Sequence, residues 1–508
     1  MAKTRFQFDS PDEAASARLA GWLAVLIDTP KLIFLNGDLG AGKTAFARGF
    51  IRARCGQATD VPSPTFALIQ PYQNDTAHLP ILHADLYRLA DPQEIDELGL
   101  SDALADHICL VEWPQNGHGV LPEADIKVSL TTQDTGREII IEAEAALCKS
   151  LEKAAARDAE LEAFLAATDW HDAVRAPLAG DASTRRYERI YRKTENQQDN
   201  QDNAVLMDWP AMPDGPPIYD GQPYSRVAHL AEAMPRFTDM VTWLRAAGLA
   251  APALFAHDQA RGFALLEDFG DRNPANDATL DRAVFYYEAV ENLLHLHGQP
   301  APDFLPPYNG AVQAVETSLF VDWYLPWRGI AIDDAAKRDW QAVWQKLGDA
   351  LMSDDKVAVL RDYHSVNLLW RDQAQARHRI GLIDVQDALS GSPAYDLASL
   401  IFDARIDVPA DFRENMLAHY MRRFGDDAAR ADKFRAALSL CTVQRNLKIA
   451  GIFVRLAERD GKPAYLKHMP RIIGYLTQAL EAPGLKPVAD WLNAHAPSAL
   501  VLVDMADD

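Results

Sequence analysis

The stretch FLNGDLGAGKTAFARGF, residues 34–50, constrains the fold more than any other part of the chain. Gly37 to Thr44 fits G-x-x-x-x-G-K-[ST]. KLIFLNG reads as a short strand entering the loop, and KTAFARGFIRARCG as a helix that Gly56 can end. Strand, loop and helix in this order build an α/β nucleotide-binding domain. Gly37, Gly40 and Gly42 let the backbone turn tightly and aim N–H groups at phosphate oxygens. The helix behind them offers its positive end to the same anion. Lys43 reaches the β- and γ-phosphates, and the Thr44 hydroxyl is placed to ligate Mg²⁺. Such a domain is complete in about 150 residues. The chain has 508, so the remainder either serves this ATPase or does a second job.

That length suits about two to four domains. Hydrophobic content of 48% with 24% charged residues supports a sizeable core. A formal net charge of -23 argues against nonspecific nucleic-acid binding, which needs Lys and Arg against phosphate. Cys55, Cys109, Cys148 and Cys441 lie too far apart for a metal spacing or a disulfide framework, and read as buried free thiols. The N-terminus lacks a basic-then-apolar leader, and no apolar run approaches about 18 residues. The expectation is a soluble, cytoplasmic protein without a membrane partner.

Residues 11–27 read as a helix with an apolar face. ILHAD and HICLVE are apolar strands, each ending in a carboxylate, and IKVSLTT and REIIIEAEA alternate like an antiparallel pair. The α/β unit therefore spans residues 1–150. A helical Ala- and Glu-rich segment follows. YERIYRK and NAVLMDW then read as strands joined by TENQQDNQDN, too hydrophilic to pack. Long helical patterns dominate after residue 280, broken by short strands around 357–385. Residues 151–265 are expected to form a small lobe with its preceding helix, and 266–508 a larger one.

Asp85 ends ILHAD and Glu112 ends CLVE. Strand C-termini in a parallel α/β sheet line the crevice where the phosphate loop lies. An acid there holds Mg²⁺ or orients the attacking water. GDLGAGKT, VPSPTFALIQPY, HADLYRL and LVEWPQNG occur in the order and spacing of the TsaE family, and residues 5–147 resemble it. These are small ATPases of bacterial tRNA threonylcarbamoyladenosine biosynthesis. The resemblance implies that Lys43 and Thr44 bind ATP and Mg²⁺, that Asp85 is the metal-side acid and that Glu112 is the catalytic acid of VEWP. It places Thr65 in a switch-like segment near the γ-phosphate, and Trp113 either near the nucleotide or in the core. It also implies two partners of the TsaB/TsaD type that carry out threonylcarbamoyl transfer.

The second informative stretch is VLRDYHSVNLLW, residues 359–370. Asp362 and Asn367 fit D-x-x-x-x-N, the spacing of a kinase catalytic loop. Asp362 would accept the substrate hydroxyl proton and Asn367 would ligate Mg²⁺. The strand in RIGLIDVQD ends at Asp384, the second metal ligand in this reading. Upstream, LAGDASTRRYERI is a small-residue turn where a kinase covers ATP phosphates, with Asp181, Ser183, Arg185 and Arg186 as the binding candidates. FALLEDFG resembles a hinge meeting adenine through its backbone, centred on Glu267. Its Asp268-Phe269-Gly270 precedes the catalytic loop and is rejected as a metal motif.

Residues 160–480 resemble the aminoglycoside phosphotransferase superfamily. GDASTRRYERI, VLMDWP, LRDYHSVNLLW and GLIDVQDALSGSPAYDLASL look most like the anomeric kinases of N-acetylmuramate and N-acetylglucosamine. The implied fold is a two-lobed protein-kinase-like α+β domain behind the P-loop domain. The implied reaction phosphorylates the C1 hydroxyl of an amino sugar in cell-wall recycling, with ATP and Mg²⁺. Two departures stand out: Leu360 replaces the usual catalytic-loop His, and Met207 and Asp208 stand where a strand Lys is expected. Arg185 or Arg186 is the candidate replacement for that charge. Two alternatives stay open: another acceptor such as an aminoglycoside-like alcohol, or a nucleotide-binding module that regulates the ATPase. Asp396 reads as a brace of the catalytic loop, Asp387 as an acid that either supports the site from behind or faces solvent, and Glu316 as either pocket or core. VQRNLKIAGIF reads as a packing helix without chemistry, and His295 and His297 face different ways on theirs.

Overall fold

Alternation of apolar side chains along short strands builds a sheet with two covered faces in the N-terminal part of the chain. The computed structural model describes residues 3–57, 59–65, 67–73, 79–89, 91–178, 185–192, 203–211, 214–219, 221–231, 233–351 and 356–501. By internal contacts the chain divides into two compact units, one comprising residues 1–181 and 190–201, the other 182–189 and 202–508.

The first unit contains β1 (Lys3–Ser10), α1 (Glu13–Leu26), β2 (Lys31–Asn36), α2 (Lys43–Cys55), β3 (Ile69–Tyr72), β4 (Ile81–Asp85) and two single-turn helices, α3 (Glu94–Glu97) and α4 (Leu100–Ala103). It continues through β5 (Ile108–Glu112), β6 (Ile126–Thr132), β7 (Arg137–Glu144), α5 (Ala145–Ala166) and β8 (Val174–Pro177). The seven-stranded sheet has the order β1-β7-β6-β2-β5-β4-β3. β4, β5, β2 and β6 run parallel, whereas the β6–β7 and β7–β1 pairs are antiparallel, as the alternating pair in the sequence predicts. Successive residues face opposite cores: Ile33, Leu35, Ile108 and Leu110 join the layer with α1 and α2, while Leu32, Cys109 and Val111 face the other side. Asp12 caps α1 by accepting from the Ala15 N–H at 2.8 Å. Gly56 ends α2, its N–H bonding Arg52 O at 3.0 Å with φ 101°. α5 packs in this unit, where Asp158 pairs with Arg18 of α1 at 3.5 Å.

The second unit opens with residues 186–189 of β9 (Arg186–Tyr191), then β10 (Asn203–Asp208), a small hairpin of β11 (Pro217–Tyr219) and β12 (Gln222–Pro223), and α6 (Tyr224–Val227). α7 (Pro235–Ala246), β13 (Leu254–Asp258) and β14 (Phe263–Glu267) follow, and β13-β14-β10-β9 form one sheet. Then come α8 (Arg282–Leu296), α9 (Gly310–Leu319), a π-helical turn (Phe320–Tyr324), α10 (Leu325–Trp327) and α11 (Asp334–Leu351). The strands β15 (Val357–Val359), β16 (Leu368–Trp370), β17 (Ile380–Leu382) and β18 (Leu389–Gly391) make two antiparallel pairs, β15 with β18 and β16 with β17. α12 (Ala394–Ile401), α13 (Ala410–Met421), α14 (Ala428–Glu458), α15 (Met469–Ala479) and α16 (Lys486–His495) close the unit. One continuous core joins these helices, centred on buried Trp340 and Trp344. The fold is mixed α/β throughout. The four cysteines are free, with Cys55 half-buried and the other three buried. No helix among the described residues is long and apolar enough to cross a membrane.

Candidate active sites

In the first unit β2 delivers the chain into a loop whose Gly37, Gly40 and Gly42 have φ of 148°, 80° and 99°. A Cβ on Gly37 would stand 2.6 Å from Leu130 O, so only glycine fits where the loop leaves the sheet. Lys43 Nζ donates to Gly37 O at 2.8 Å and Asp38 O at 2.9 Å, and lies 3.8 Å from the centroid of the Trp113 ring. Burial lowers the Lys43 pKa, opposed by the charges of Glu112, Asp85 and Asp38.

Asp85 and Glu112 are register partners at the ends of β4 and β5, the crevice that the parallel sheet predicts. Their hydrogen bonds differ. Thr44 Oγ1 donates to Glu112 Oε1 at 2.8 Å, whereas Thr65 Oγ1 donates to Asp85 Oδ2 at 2.7 Å. Glu112 also accepts from His83 Nε2 at 3.0 Å. His83 is fully buried one residue before Ala84 on β4, and its part in positioning Glu112 went unread in the sequence. A histidine inside an otherwise apolar strand was the available signal, since a buried polar group needs a partner.

The second site is built by a hairpin. Leu368 of β16 pairs with Leu382 of β17, and the Ile383 N–H bonds Asn367 O at 3.1 Å. Residues just before β16 and just after β17 therefore meet. Asn367 Nδ2 lies 3.5 Å from Asp384 Oδ2 and donates to Asp362 O at 3.1 Å. Asp384, with φ 60°, also accepts from Arg185 Nη2 at 2.7 Å and Gln386 Nε2 at 2.9 Å through Oδ1. Arg185 lies over the Trp209 ring at 4.9 Å and brings a cation to the site that lacks the strand lysine. Arg186 is exposed at the start of β9. Met207 is buried in the core of the unit. Asp181 and Ser183, like residues 194–202 of the polar tract, lie outside the described residues.

Asp396 braces the catalytic loop, accepting from the Leu360 N–H at 2.6 Å and the Arg361 N–H at 2.9 Å. Burial pushes its pKa up to about 7 against those two bonds. Arg361 has φ 66° and is buried, its guanidinium bonded to Ala228 O at 3.0 Å and paired with Glu316. Glu316 lies in the core as an ion-pair centre: Lys448 Nζ donates to it at 2.7 Å, Gln444 Nε2 at 2.8 Å and Tyr308 OH at 2.5 Å. Burial favours its neutral form, but Arg361 and Lys448 outweigh burial and hold the carboxyl at about 2. Asp362 is likewise opposed by burial, yet Lys448, Arg445 and His364 keep it well below the usual carboxylate range. Arg445 Nη1 bonds Arg361 O at 2.6 Å and lies 3.7 Å from Asp362 Oδ1. VQRNLKIAGIF is thus more than a packing helix, because Gln444, Arg445 and Lys448 of α14 set the charge around the catalytic loop. Asp387 accepts from the Ala231 N–H at 2.6 Å, and burial raises its pKa.

The hinge candidate Glu267 ends β14 with its side chain held by Arg371 at 2.7 Å and the Ala253 N–H at 3.1 Å, and its own N–H donates to Ala253 O at 2.9 Å. Asp268 is bound by Arg189 at 2.5 Å and Asn203 at 3.0 Å, away from any metal role. His295 and His297 diverge to Ala247 O at 2.6 Å and Tyr420 OH at 2.7 Å.

A phosphate loop with two strand-end acids and a braced D-x-x-x-x-N loop define an ATP-using phosphotransferase joined to a P-loop ATPase domain. Residues 10–139 match the family of the threonylcarbamoyl adenosine biosynthesis protein TsaE, and residues 174–434 match the phosphotransferase enzyme family. The N-acetylmuramate/N-acetylglucosamine kinase of Caulobacter vibrioides is 34% identical over 359 residues, covering 67% of this chain and 97% of its own. That of Pseudomonas putida is 33% identical over 308 residues, covering 59% and 82%. The TsaE protein of Haemophilus influenzae is 42% identical over 147 residues, covering 28% of this chain and 91% of its own. The chain belongs to the N-acetylmuramate/N-acetylglucosamine kinase family and carries a TsaE-family domain at its N-terminal end.

Proposed function

We propose that the second unit transfers the γ-phosphoryl group of ATP to the anomeric hydroxyl of N-acetylmuramate or N-acetylglucosamine in cell-wall sugar recycling. The first unit, in the same proposal, hydrolyses ATP in support of tRNA threonylcarbamoyladenosine formation by TsaB/TsaD-type partners. The convergence of Asp362, Asn367 and Asp384 at one end of the β16–β17 hairpin carries the kinase reading.

Asp362 takes the proton of the C1 hydroxyl as its oxygen attacks the γ-phosphorus and ADP leaves. The cations around Asp362 support its ionised, proton-accepting form. The 3.5 Å separation between Asp384 Oδ2 and Asn367 is long for a hydrogen bond, so that oxygen keeps capacity for a cation. Asn367 and Asp384 would hold Mg²⁺, which neutralises triphosphate charge when bound. Arg185 supplies the phosphate-side cation, with Arg186, Asp181 and Ser183 in the covering turn, and the Glu267 backbone meets adenine. In the first unit Gly37, Gly40, Gly42 and Lys43 hold the phosphates. Thr44 and Asp85 would hold Mg²⁺ there, Thr65 follows the γ-phosphate, and Glu112 orients the attacking water. The Thr44–Glu112 hydrogen bond of 2.8 Å extends the metal side to Glu112 as well.

A polycationic aminoglycoside fits poorly beside Asp362, because Arg361, Arg445 and Lys448 surround it. The test is ³¹P NMR of the full-length protein with ATP-Mg²⁺ and N-acetylmuramate, N-acetylglucosamine, glucose or kanamycin. An anomeric sugar phosphate that disappears in Asp362→Asn is expected. No phosphorylated product from any of the four would overturn the kinase reading and leave a nucleotide-binding module attached to the ATPase.

A further inference from the structure

The polar face of α14 continues past the residues that serve the catalytic loop. Gln444, Lys448 and Arg455 follow at spacings of four and seven, which on an α-helix place them along one face. Lys448 and Arg455 are separated by about 10 Å of helix axis. Between them Gly451 seats α14 on the end of α9: a Cβ there would fall 2.2 Å from Leu319 O. Tyr224 of α6 ties this stretch to the ion-pair centre, lying within electrostatic reach of Glu316, Lys448, Arg361 and Arg455.

The charges on this face do not balance. Arg361 and Lys448 share Glu316, and Arg445 faces Asp362. Arg455 has no such acid among the described residues, and its Nε is shielded from solvent without a hydrogen-bond partner. Asp460, the acid that does act on it, is engaged by Arg459 through two bonds of 2.7 and 2.9 Å. Arg455 is half-buried, and leaving its Nε–H without water or a partner is costly, a cost that a ligand carboxylate would relieve.

We propose that Arg455 is the anchor for the carboxylate of an acidic sugar substrate, and so selects N-acetylmuramate over N-acetylglucosamine. The two sugars differ by an ether-linked lactyl group whose carboxylate is the only charge on either. The proposal rests on the amino-sugar kinase reading. Lys448 and Arg361 are committed to Glu316, so Arg455 is the cation of this face left to meet a ligand anion.

The experiment measures kcat/KM for both sugars, and for the methyl ester of N-acetylmuramate, in the wild type, Arg455→Met and Arg455→Lys. Arg455→Met is expected to lower the ratio of N-acetylmuramate to N-acetylglucosamine turnover by about 10- to 100-fold, chiefly through KM. Arg455→Lys should recover part of that ratio. The methyl ester should be a poor substrate of the wild type and insensitive to the substitution. Equal loss for both sugars, no change in the ratio, or wild-type preference for the ester over the acid would each overturn the inference. The ester comparison requires no variant, so a misfolded mutant leaves the inference testable. Wild-type turnover of N-acetylglucosamine with an unchanged ratio would refute Arg455 while keeping the kinase; turnover of neither sugar would refute both.

Discussion

The two nucleotide sites are assembled in opposite ways. The first is nearly continuous in sequence: Gly37 to Thr44 supply the loop, the lysine and the hydroxyl, while two strand-end acids and Thr65 come from elsewhere within the next about 70 residues. The second draws Arg185, Glu316, Asp362, Asp384 and Lys448 from five segments spread over more than half of the chain. A site written in one loop depends on local backbone geometry. A site collected from many segments depends on the buried ion pairs that hold those segments in register.

Removing the proposed base should separate the two sites most clearly. Asp362→Asn is expected to lower sugar phosphorylation by about 10²- to 10⁴-fold while sugar-independent ATP hydrolysis is unchanged. Parallel loss of both activities would break the comparison. Glu316→Gln comes next. It leaves Arg361 and Lys448 buried without their anion, and should cost the second unit about 3–5 kcal/mol in denaturant unfolding. The pH dependence has a defined sign. Glu316 sits at about 2 against an ordinary 4.5, so its stabilisation is complete above pH 4.5 and lost as pH falls towards 2. The Gln variant should lose that acid-side slope. Asp396, raised from 3.8 to about 7, acts in reverse and removes stability as pH rises through that window.

Lys43→Ala sharpens the contrast from the other side. Hydrolysis by the first unit should fall by about 10²-fold or more, with sugar phosphorylation unaffected. Arg185→Ala carries the smallest effect. The KM for ATP of the kinase should rise about 10-fold, since one charge-assisted contact near the phosphates is lost. Arg186→Ala, at an exposed position, should stay within about twofold. Identical behaviour of the two variants would remove Arg185 from its assigned place.

This difference in construction also explains what could be read in advance. The P-loop, the acids of β4 and β5, the antiparallel β6–β7 pair and the Asp362–Asn367 spacing are local patterns, and each was legible. Asp396 as a brace was legible too, because it follows the catalytic strands closely. The role of α14 was not. Nothing local says that Lys448 will reach Glu316, 132 residues earlier. The signal present was indirect: Gln444, Arg445 and Lys448 fall in the long buried middle of α14, and charges on a buried face require partners. His83 was missed for the same reason, since its partner Glu112 lies on the neighbouring strand.

Lys43 against Trp113 has an optical consequence. The indole has an ammonium group 3.8 Å from its ring centroid, a charge close enough to perturb its excited state. Any ligand that draws Lys43 towards a phosphate removes that charge from the ring. Among 11 tryptophans, Trp113 is therefore the one whose emission should report occupancy of the phosphate loop. The difference spectrum between the wild type and Trp113→Phe, taken during an ATP titration, would isolate it. The protein carries its own gauge of the first site, readable while the second is at work.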